Sequence, residues 1–536
     1  MAKSLFSKPW LQCLLFLIGG GLISMILKFE LIWDFANYHY YNAWAFVEGR
    51  FNYDLLVAGL HGFFNPLPEL PLYYLIKYFN DYPNFIYFMQ GLWFGALGFV
   101  WFKTAGLFFG SKKAVFFTVL LGLCGYGVFF QIGTSSNEIM IAFLLLSALY
   151  LLLRIFFKKS AAGGGLFFLA GFLAGAAMGL KLTAVIYCAS LGISLILFYR
   201  KIPQPLKSIS FFAFGGLSGF LIFSGFWLWQ LWETFGNPLF PFANELFESE
   251  FISRENYSDE RFIPKNLSEF FLLPFKTHRG EGFAVVIDFR LAFLYGVILI
   301  WLANVFKNRK VQINVPFAFV CVFVLVSYLI WLFYFGIARY MLPIEILSAL
   351  ILVRAAIYFR PLGQMKKSLY HWGLFIGCVL LLLNPLFSEP VGFRNGHSSG
   401  KFSKFVEGDD LSLPDNSLIL FYRYPYNYPT AAFLPYWAQK FTNLRGIEAA
   451  ARSYRGRLFV SEWWKQTKDD ILKNHTGSKI AVLAVEQEKN ILDLKKAEPL
   501  LREMSCRKYE TNFTMHYYRY FLCANPVTLE KIWNRN

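Results

Sequence analysis

The chain has 536 residues and a formal net charge of +17; 56% of its residues are hydrophobic, 20% aromatic and only 16% charged, with a mean hydropathy of +0.43. That balance excludes an ordinary soluble domain and a disordered chain, and indicates an integral membrane protein. The excess of basic residues is not spread as a nucleic-acid footprint would be, because it sits in short loops between apolar runs.

Apolar runs able to cross a bilayer, which takes about 20 residues, lie near 9–27, 83–102, 114–132, 139–153, 165–180, 183–199, 209–232, 291–306, 313–335, 340–353 and 369–387. The expectation is an α-helical polytopic protein of about 11 transmembrane helices, in which 165–180 and 183–199 can also form one bent hairpin or a broken helix. The first run follows Lys3 and Lys8 as a signal peptide would. Its apolar part is long and no small-residue cleavage site follows, so it is expected to remain as an anchor.

With the N-terminus cytoplasmic, the inner segments carry eighteen Lys or Arg, from Lys3 to Lys367, and no acid. Subtracting them from the net charge leaves −1 for the rest (17 − 18 = −1), so the basic balance is a positive-inside signal. The opposite side receives two long loops, 28–82 and 233–290, and a C-terminal α/β domain over 388–536. The expected division is therefore a membrane domain over 1–387 and an extracytoplasmic domain over 388–536. Both loops are too long to be simple connectors. Their Pro and Gly punctuation suggests short helices lying on the bilayer.

Between 83 and 387, "GFLAGAAMGLKL" spaces Gly171, Gly175 and Gly179 four apart, on one helix face where a second helix can approach closely. Past residue 400, "SLILFY", "EWWKQTKDDILKNH", "KIAVLAV" and "EKNILDLKKAEPLLREM" read as a small α/β sandwich. Cys13, Cys124, Cys188, Cys321 and Cys378 fall in spans, but Cys506 and Cys523 flank a hairpin-like stretch in a compartment that permits disulfides, and a bond between them is expected.

The stretch with most chemistry directly follows the first span: "DFANYHYYNAWAF". Read as an α-helix, it lines up Asp34, Asn37, Tyr38, Tyr41 and Asn42 on one stripe, with rings on the other faces. Hydroxyls, amides and a carboxylate opposite aromatic surface suit a sugar. The plainer reading makes Asp34 an N-cap and the tyrosines part of an interfacial belt. Further along, "SSNEIM" puts Glu138 at a helix mouth, "GLKLT" puts Lys181 near the same level, and "ARYMLPIEIL" puts Arg339 and Glu345 at and just below it. Ionisable groups at membrane depth are costly and often functional. Each alone has a local explanation, a helix cap or a snorkelling side chain. All four fall on the side of Asp34, so carboxylates and cations are expected to share a cavity, as transfer from a phosphate-linked donor requires.

This layout resembles the GT-C superfamily of integral-membrane glycosyltransferases, which includes protein mannosyltransferases and lipid A aminoarabinose transferases. It resembles especially bacterial relatives with D-x-x-x-Y-H-x-Y-N-A-W after the first span. The likeness covers residues 1 to about 355 and rests on Asp34, the large first loop, "GNPLFP" at 236–241 and "ARYMLP" at 338–343. It implies that Asp34 is the base that activates the acceptor and that Arg339 holds the lipid phosphate. Lys181 and Glu138 join the site in lesser roles, and His39 and His61 are candidates to assist. One departure concerns acids: several relatives pair two in the first loop, whereas here the next after Asp34 are Glu48 and Asp54. No His or Cys cluster offers a metal site, so neither metal nor cofactor is expected. The implied partners are a polyprenyl-phosphate sugar donor, membrane lipids, and an acceptor glycan, lipid or protein of the cell envelope, at the outer face of a bacterial inner membrane.

Two rival readings are a flippase or transporter of lipid-linked glycans and a non-catalytic envelope scaffold. A transporter commonly shows inverted repeats and charges at the bilayer midplane; neither is visible here. A scaffold predicts that Asp34 is dispensable. The orientation is testable first: single cysteines replacing Glu255 or Asp470 should react with a membrane-impermeant thiol reagent in spheroplasts, and one replacing Arg309 should not. The reverse pattern overturns the topology.

Overall fold

The computed structural model describes residues 8–28, 33–158, 164–253, 262–273, 278–279, 285–286, 288–306, 314–358, 403–423, 430–449, 461–485, 487–512 and 519–533. Among them, six helices are long and apolar enough to cross a membrane: Pro9–Leu27, Pro83–Phe108, Glu138–Phe157, Pro205–Phe235, Val315–Tyr334 and Ala338–Ile357. The expected eleven are not all of this kind. The runs at 165–180, 183–199 and 291–306 become the shorter helices Gly164–Leu180, Val185–Leu197 and Arg290–Phe306. The run at 114–132 breaks into Lys112–Leu123 and Tyr126–Phe130. The break has a packing cause: a Cβ on Gly125 would stand 2.2 Å from the Glu345 carboxyl carbon and 2.4 Å from the Arg290 guanidinium. The run at 369–387 lies outside the described residues.

Glycine faces set how closely the helices meet. Gly171, Gly175 and Gly179 of Gly164–Leu180 face Pro205–Phe235 as the spacing predicts, and a Cβ on Gly175 would stand 1.9 Å from the Gly216 carbonyl oxygen. Helix Pro9–Leu27 meets Pro83–Phe108 in the same way, with Gly20 against the backbone of Gly91 and Gly95. In an apolar solvent, this backbone approach supplies the packing that hydrophobic burial cannot.

The C-terminal region contains a five-stranded mixed sheet. In spatial order its strands are Arg445–Glu448, Leu418–Arg423, Lys479–Val485, Arg519–Ala524 and Ser505–Tyr509. The first three are parallel and the last two antiparallel. Helices Glu462–Asn474 and Lys489–Ala497 connect them. Parallel strands buried on both faces read as continuous apolar runs, which is why "KIAVLAV" shows no alternation. Cys506 and Cys523 are register partners on adjacent antiparallel strands, with Cα atoms 4.0 Å apart and their sulfurs bonded.

The close pairing of Gly164–Leu180 with Pro205–Phe235 generates a paired forecast. Gly175→Val should lower the thermal stability of detergent-solubilised protein by at least the roughly 1–3 kcal/mol of ordinary overpacking. Gly192, within Val185–Leu197, has nothing within 4 Å of a would-be Cβ. Gly192→Ala should therefore raise stability by about 0.5–1 kcal/mol. Equal responses at the two sites would show that the helix contact is not as close as described.

Candidate functional site

The residues after the first span do not form a plain α-helix. Phe35–His39 is a π-helical turn, followed by the α-helix Tyr40–Val47. Asp34 is itself helical (φ −62°, ψ −37°) and its side chain makes no capping bond, so the N-cap explanation fails. The inserted residue of a π-turn also rotates what precedes it by about 100° relative to an α-helical continuation. The expected stripe is split accordingly. Tyr41 donates to Asp54 Oδ2 at 3.3 Å, and Asn42 donates to the His61 carbonyl at 2.9 Å. Both help hold the loop rather than line a site. Asn37 is fully buried within the turn. Tyr38 stacks on His61 with centroids 5.1 Å apart and lies within electrostatic reach of Asp34, Arg339 and Tyr340. It thus stays beside the carboxylate.

Asp34 meets Arg339, 305 residues away, in a direct ion pair between Oδ2 and Nη1. Burial on its own would push the Asp34 carboxyl up. The guanidinium beside it outweighs burial, with smaller help from His39 and Lys181, and holds it at about 2, below the ordinary 3.8. The carboxylate is therefore ionised throughout the physiological range.

Glu138 and Lys181 complete the cluster. Lys181 Nζ lies 2.5 Å from Glu138 Oε1, and Arg339 Nε lies 3.9 Å from the same oxygen. Each arrives by a local device. Glu138 opens its helix after Asn137, which is in the left-handed region (φ 61°) that asparagine tolerates. Lys181 is the extended residue (φ −146°) between Gly164–Leu180 and a 3₁₀ turn at Leu182–Ala184. Arg339 sits in the 3₁₀ turn Ala338–Met341 between the helices Val315–Tyr334 and Leu342–Tyr358. All four charges thus stand where helices begin or end.

A small cleft opens beside them. Glu138, Lys181, Arg339 and Tyr340 line its polar end, while Ile141, Ala142, Leu145, Ala184 and Leu342 form an apolar wall running towards the helices. Asp34 is not among its lining residues but reaches its edge through Arg339.

Several residues of this neighbourhood carried no sequence signal. Glu69, in "PELPL", is buried: it pairs with His39 Nδ1 at 2.5 Å and accepts from Asn137 at 2.8 Å. The second buried first-loop acid near Asp34 is therefore Glu69, not Glu48 or Asp54. Glu48 is half-exposed beside Lys77, and Asp54 pairs with Arg50. Ser136 accepts from Lys181 through its carbonyl at 3.1 Å, and Gln131 donates to the Arg339 carbonyl at 3.3 Å, so the "QIGTSSN" turn holds the Lys181 ammonium and the backbone of Arg339. Glu345, expected to face the same cavity, does not. It pairs with Arg290 at 3.0 Å and accepts from the backbone of Gly127 and Val128. Its role is to join three helices, since a buried charge must be paired.

No family model matches this chain, and no curated protein matches its sequence. Its fold does have solved counterparts. The crystal structure of ArnT from Cupriavidus metallidurans bound to undecaprenyl phosphate aligns with a TM-score of 0.52 at 13% identity, over 97% of this chain and 99% of that one. The apo state of the same protein aligns with a TM-score of 0.52 and 13% identity, over 96% and 98%. ArnT is an aminoarabinose transferase of the GT-C family. The GT-C resemblance drawn from the motifs is thus matched by a likeness of fold over nearly the whole chain.

Proposed function

We propose that this protein is an integral-membrane glycosyltransferase that moves a sugar from a polyprenyl-phosphate donor to an acceptor hydroxyl of an envelope glycan, lipid or protein, at the extracytoplasmic face. One observation carries the reading: a buried carboxylate is ion-paired to an arginine at the charged mouth of an apolar-walled cleft. That combination suits an amphiphile with an anionic head and a hydrocarbon tail. The likeness in fold to a structure bound to undecaprenyl phosphate supports the same ligand class.

The charge accounting of the reaction explains why Asp34 and Arg339 should touch. The donor phosphate is a diester with one negative charge. The acceptor hydroxyl gives its proton to Asp34, its oxygen attacks the anomeric carbon, and the bond from that carbon to the phosphate oxygen breaks. Asp34 ends neutral and the leaving phosphate ends with two charges. Negative charge has moved from carboxylate to phosphate, and a guanidinium between them can stabilise both ends of that shift. Lys181, already held by Glu138 and the Ser136 carbonyl, adds a second fixed cation. A single displacement of this kind inverts the anomeric centre.

An arginine-bound carboxylate is a weak base, so donor binding must also prepare Asp34. A phosphate that draws Arg339 towards itself weakens the restraint on the carboxyl and lets its pKa rise from about 2. The base works only when ionised, so activity is lost as pH falls through that pKa. The acid limb of kcat, which reports the enzyme with donor bound, should therefore lie at higher pH than the acid limb of kcat/KM, which reports the free enzyme. Coincident limbs would argue against release by the phosphate.

The decisive variant is Asp34→Asn, which keeps the side chain's shape and removes its basicity. Transfer from polyprenyl-phosphate sugar by purified protein in detergent should fall by roughly 10²–10⁴-fold. Arg339→Ala, measured alongside, should raise the donor KM as well as lower kcat. A fully active Asp34→Asn would remove the general base and with it this mechanism.

A further inference from the structure

The first loop and the C-terminal sheet region are joined at three places, one of them at the turn that follows Asp34. At the π-turn, the Ala36 carbonyl accepts from the Ala432 N–H at 3.0 Å, and Tyr40 accepts at its hydroxyl from Gln439 Nε2 at 2.6 Å. Beyond the following helix, Leu55 forms a parallel bridge with Ile447: its N–H donates to Gly446 O at 3.0 Å, and its carbonyl accepts from Glu448 at 2.9 Å. Asp54 accepts from the Gly446 N–H at 2.7 Å, and Arg50 donates to the Leu444 carbonyl at 2.6 Å. At the far end of the loop, Asn80 exchanges side-chain bonds of 2.7 and 2.9 Å with the backbone of Val406. The loop thereby extends the edge of the sheet by one short rung, on the flank of strand Arg445–Glu448.

We propose that Ala432 and Gln439 are positioning residues for the transfer reaction: the C-terminal region holds the π-helical turn at the setting that puts Asp34 against Arg339, so that it is a working part of the site. The inference rests on Asp34 being the base. The turn is held from two sides. Arg339 holds it through a side chain that the donor phosphate is expected to recruit, whereas the Ala36–Ala432 bond joins two backbones and does not change when donor binds. Once Arg339 moves, that bond and the Tyr40–Gln439 contact are what keep the carboxylate aimed. Displacement of a reacting group by about 1 Å costs on the order of 10²-fold in rate.

The geometry offers a narrow test. Ala432 is the N-cap of helix Phe433–Ala438 with φ −64°, which proline adopts, and a helix makes no use of its N-cap N–H. Ala432→Pro therefore deletes the bond to Ala36 and sets the ring Cδ against that carbonyl in a buried position, so it both releases and displaces the π-turn. Gln439→Met removes the second contact from an exposed residue. The full-length variants are to be compared for steady-state transfer, for affinity towards undecaprenyl phosphate, and for hydrogen–deuterium exchange of the amides at 35–41. The expected result is a kcat about 10- to 100-fold lower in Ala432→Pro, a smaller fall in Gln439→Met, unchanged undecaprenyl phosphate affinity, and faster exchange confined to the turn. Unchanged exchange, or faster exchange with wild-type kcat in both variants, overturns the proposal. Asp34→Asn separates the two levels: if it is inactive while Ala432→Pro is fully active, positioning fails and the base stands. If Asp34→Asn is active, the base fails and so does any catalytic purpose for the tether, whatever the exchange reports.

Discussion

The ion pair between Asp34 and Arg339 is the contact on which the rest of the arrangement depends. Both partners are largely withdrawn from water, with 9% and 16% of their side chains exposed, and neither charge is tolerable there without the other. Their pairing requires the turn after the first span to lie against the turn before the last described span. That in turn requires the helices carrying Glu138 and Lys181 to end at the same level. The glycine faces of Gly164–Leu180 and Pro205–Phe235 meet this demand, because backbones in contact leave no play along the helix axes. Asn65 adds a cross-tie, donating to the Gly179 carbonyl at 2.7 Å and the Phe223 carbonyl at 2.8 Å, so the first loop is anchored to both helices just below Lys181.

A second ionic group makes the contrast instructive. Arg290 and Glu345 are also buried and paired, with Asp288 partly buried beside them, and backbone groups of Leu121, Gly127 and Val128 occupy much of their remaining bonding capacity. Most of that cluster's partners are built in, Arg290 Nε excepted. In the Asp34 cluster the two cations stand at an open cleft with an apolar wall, and Glu138 Oε2 has no hydrogen-bond partner. Burial of charge is common to both groups. An open cleft beside the charges belongs to the Asp34 cluster.

Much of this was legible in the residues because it depends on composition or on a fixed local spacing. Glycines four apart on an apolar helix meet another helix, and unbroken apolar runs near the C-terminus are buried strands. Charges at the ends of apolar runs fall at one level, which groups Asp34, Glu138, Lys181 and Arg339 but also Glu345, whose pairing with Arg290 is not visible in the sequence. What was not legible depends on tertiary context. Gly125 breaks a long apolar run because Arg290 and Glu345 need the space a side chain would take, and neither is near it in sequence. Glu69 gives no signal among prolines and leucines until His39 and Asn137 are placed around it. The rung between Leu55 and Ile447 joins a single loop residue to a distant strand, and no periodicity announces so short a pairing.

The most informative failure is the stripe on residues 34–45. A period of 3.6 puts Asp34 with Tyr41 and Asn42, and every residue of that stripe has a group able to hydrogen-bond, as a sugar site requires. The π-turn at Phe35–His39 divides them: the residues after it turn towards Asp54 and the His61 carbonyl, while Asp34 turns to Arg339 and Tyr38 stays beside it. A π-turn has poorer hydrogen bonding than the α-helix it interrupts, so it persists where the surroundings over-determine it. Here the surroundings are an arginine on one side and the backbone of Ala432 on the other. The tyrosines and asparagine that look like a ligand surface are therefore better understood as the frame that keeps an unfavourable turn in place. That frame leaves the Asp34 carboxylate facing Arg339.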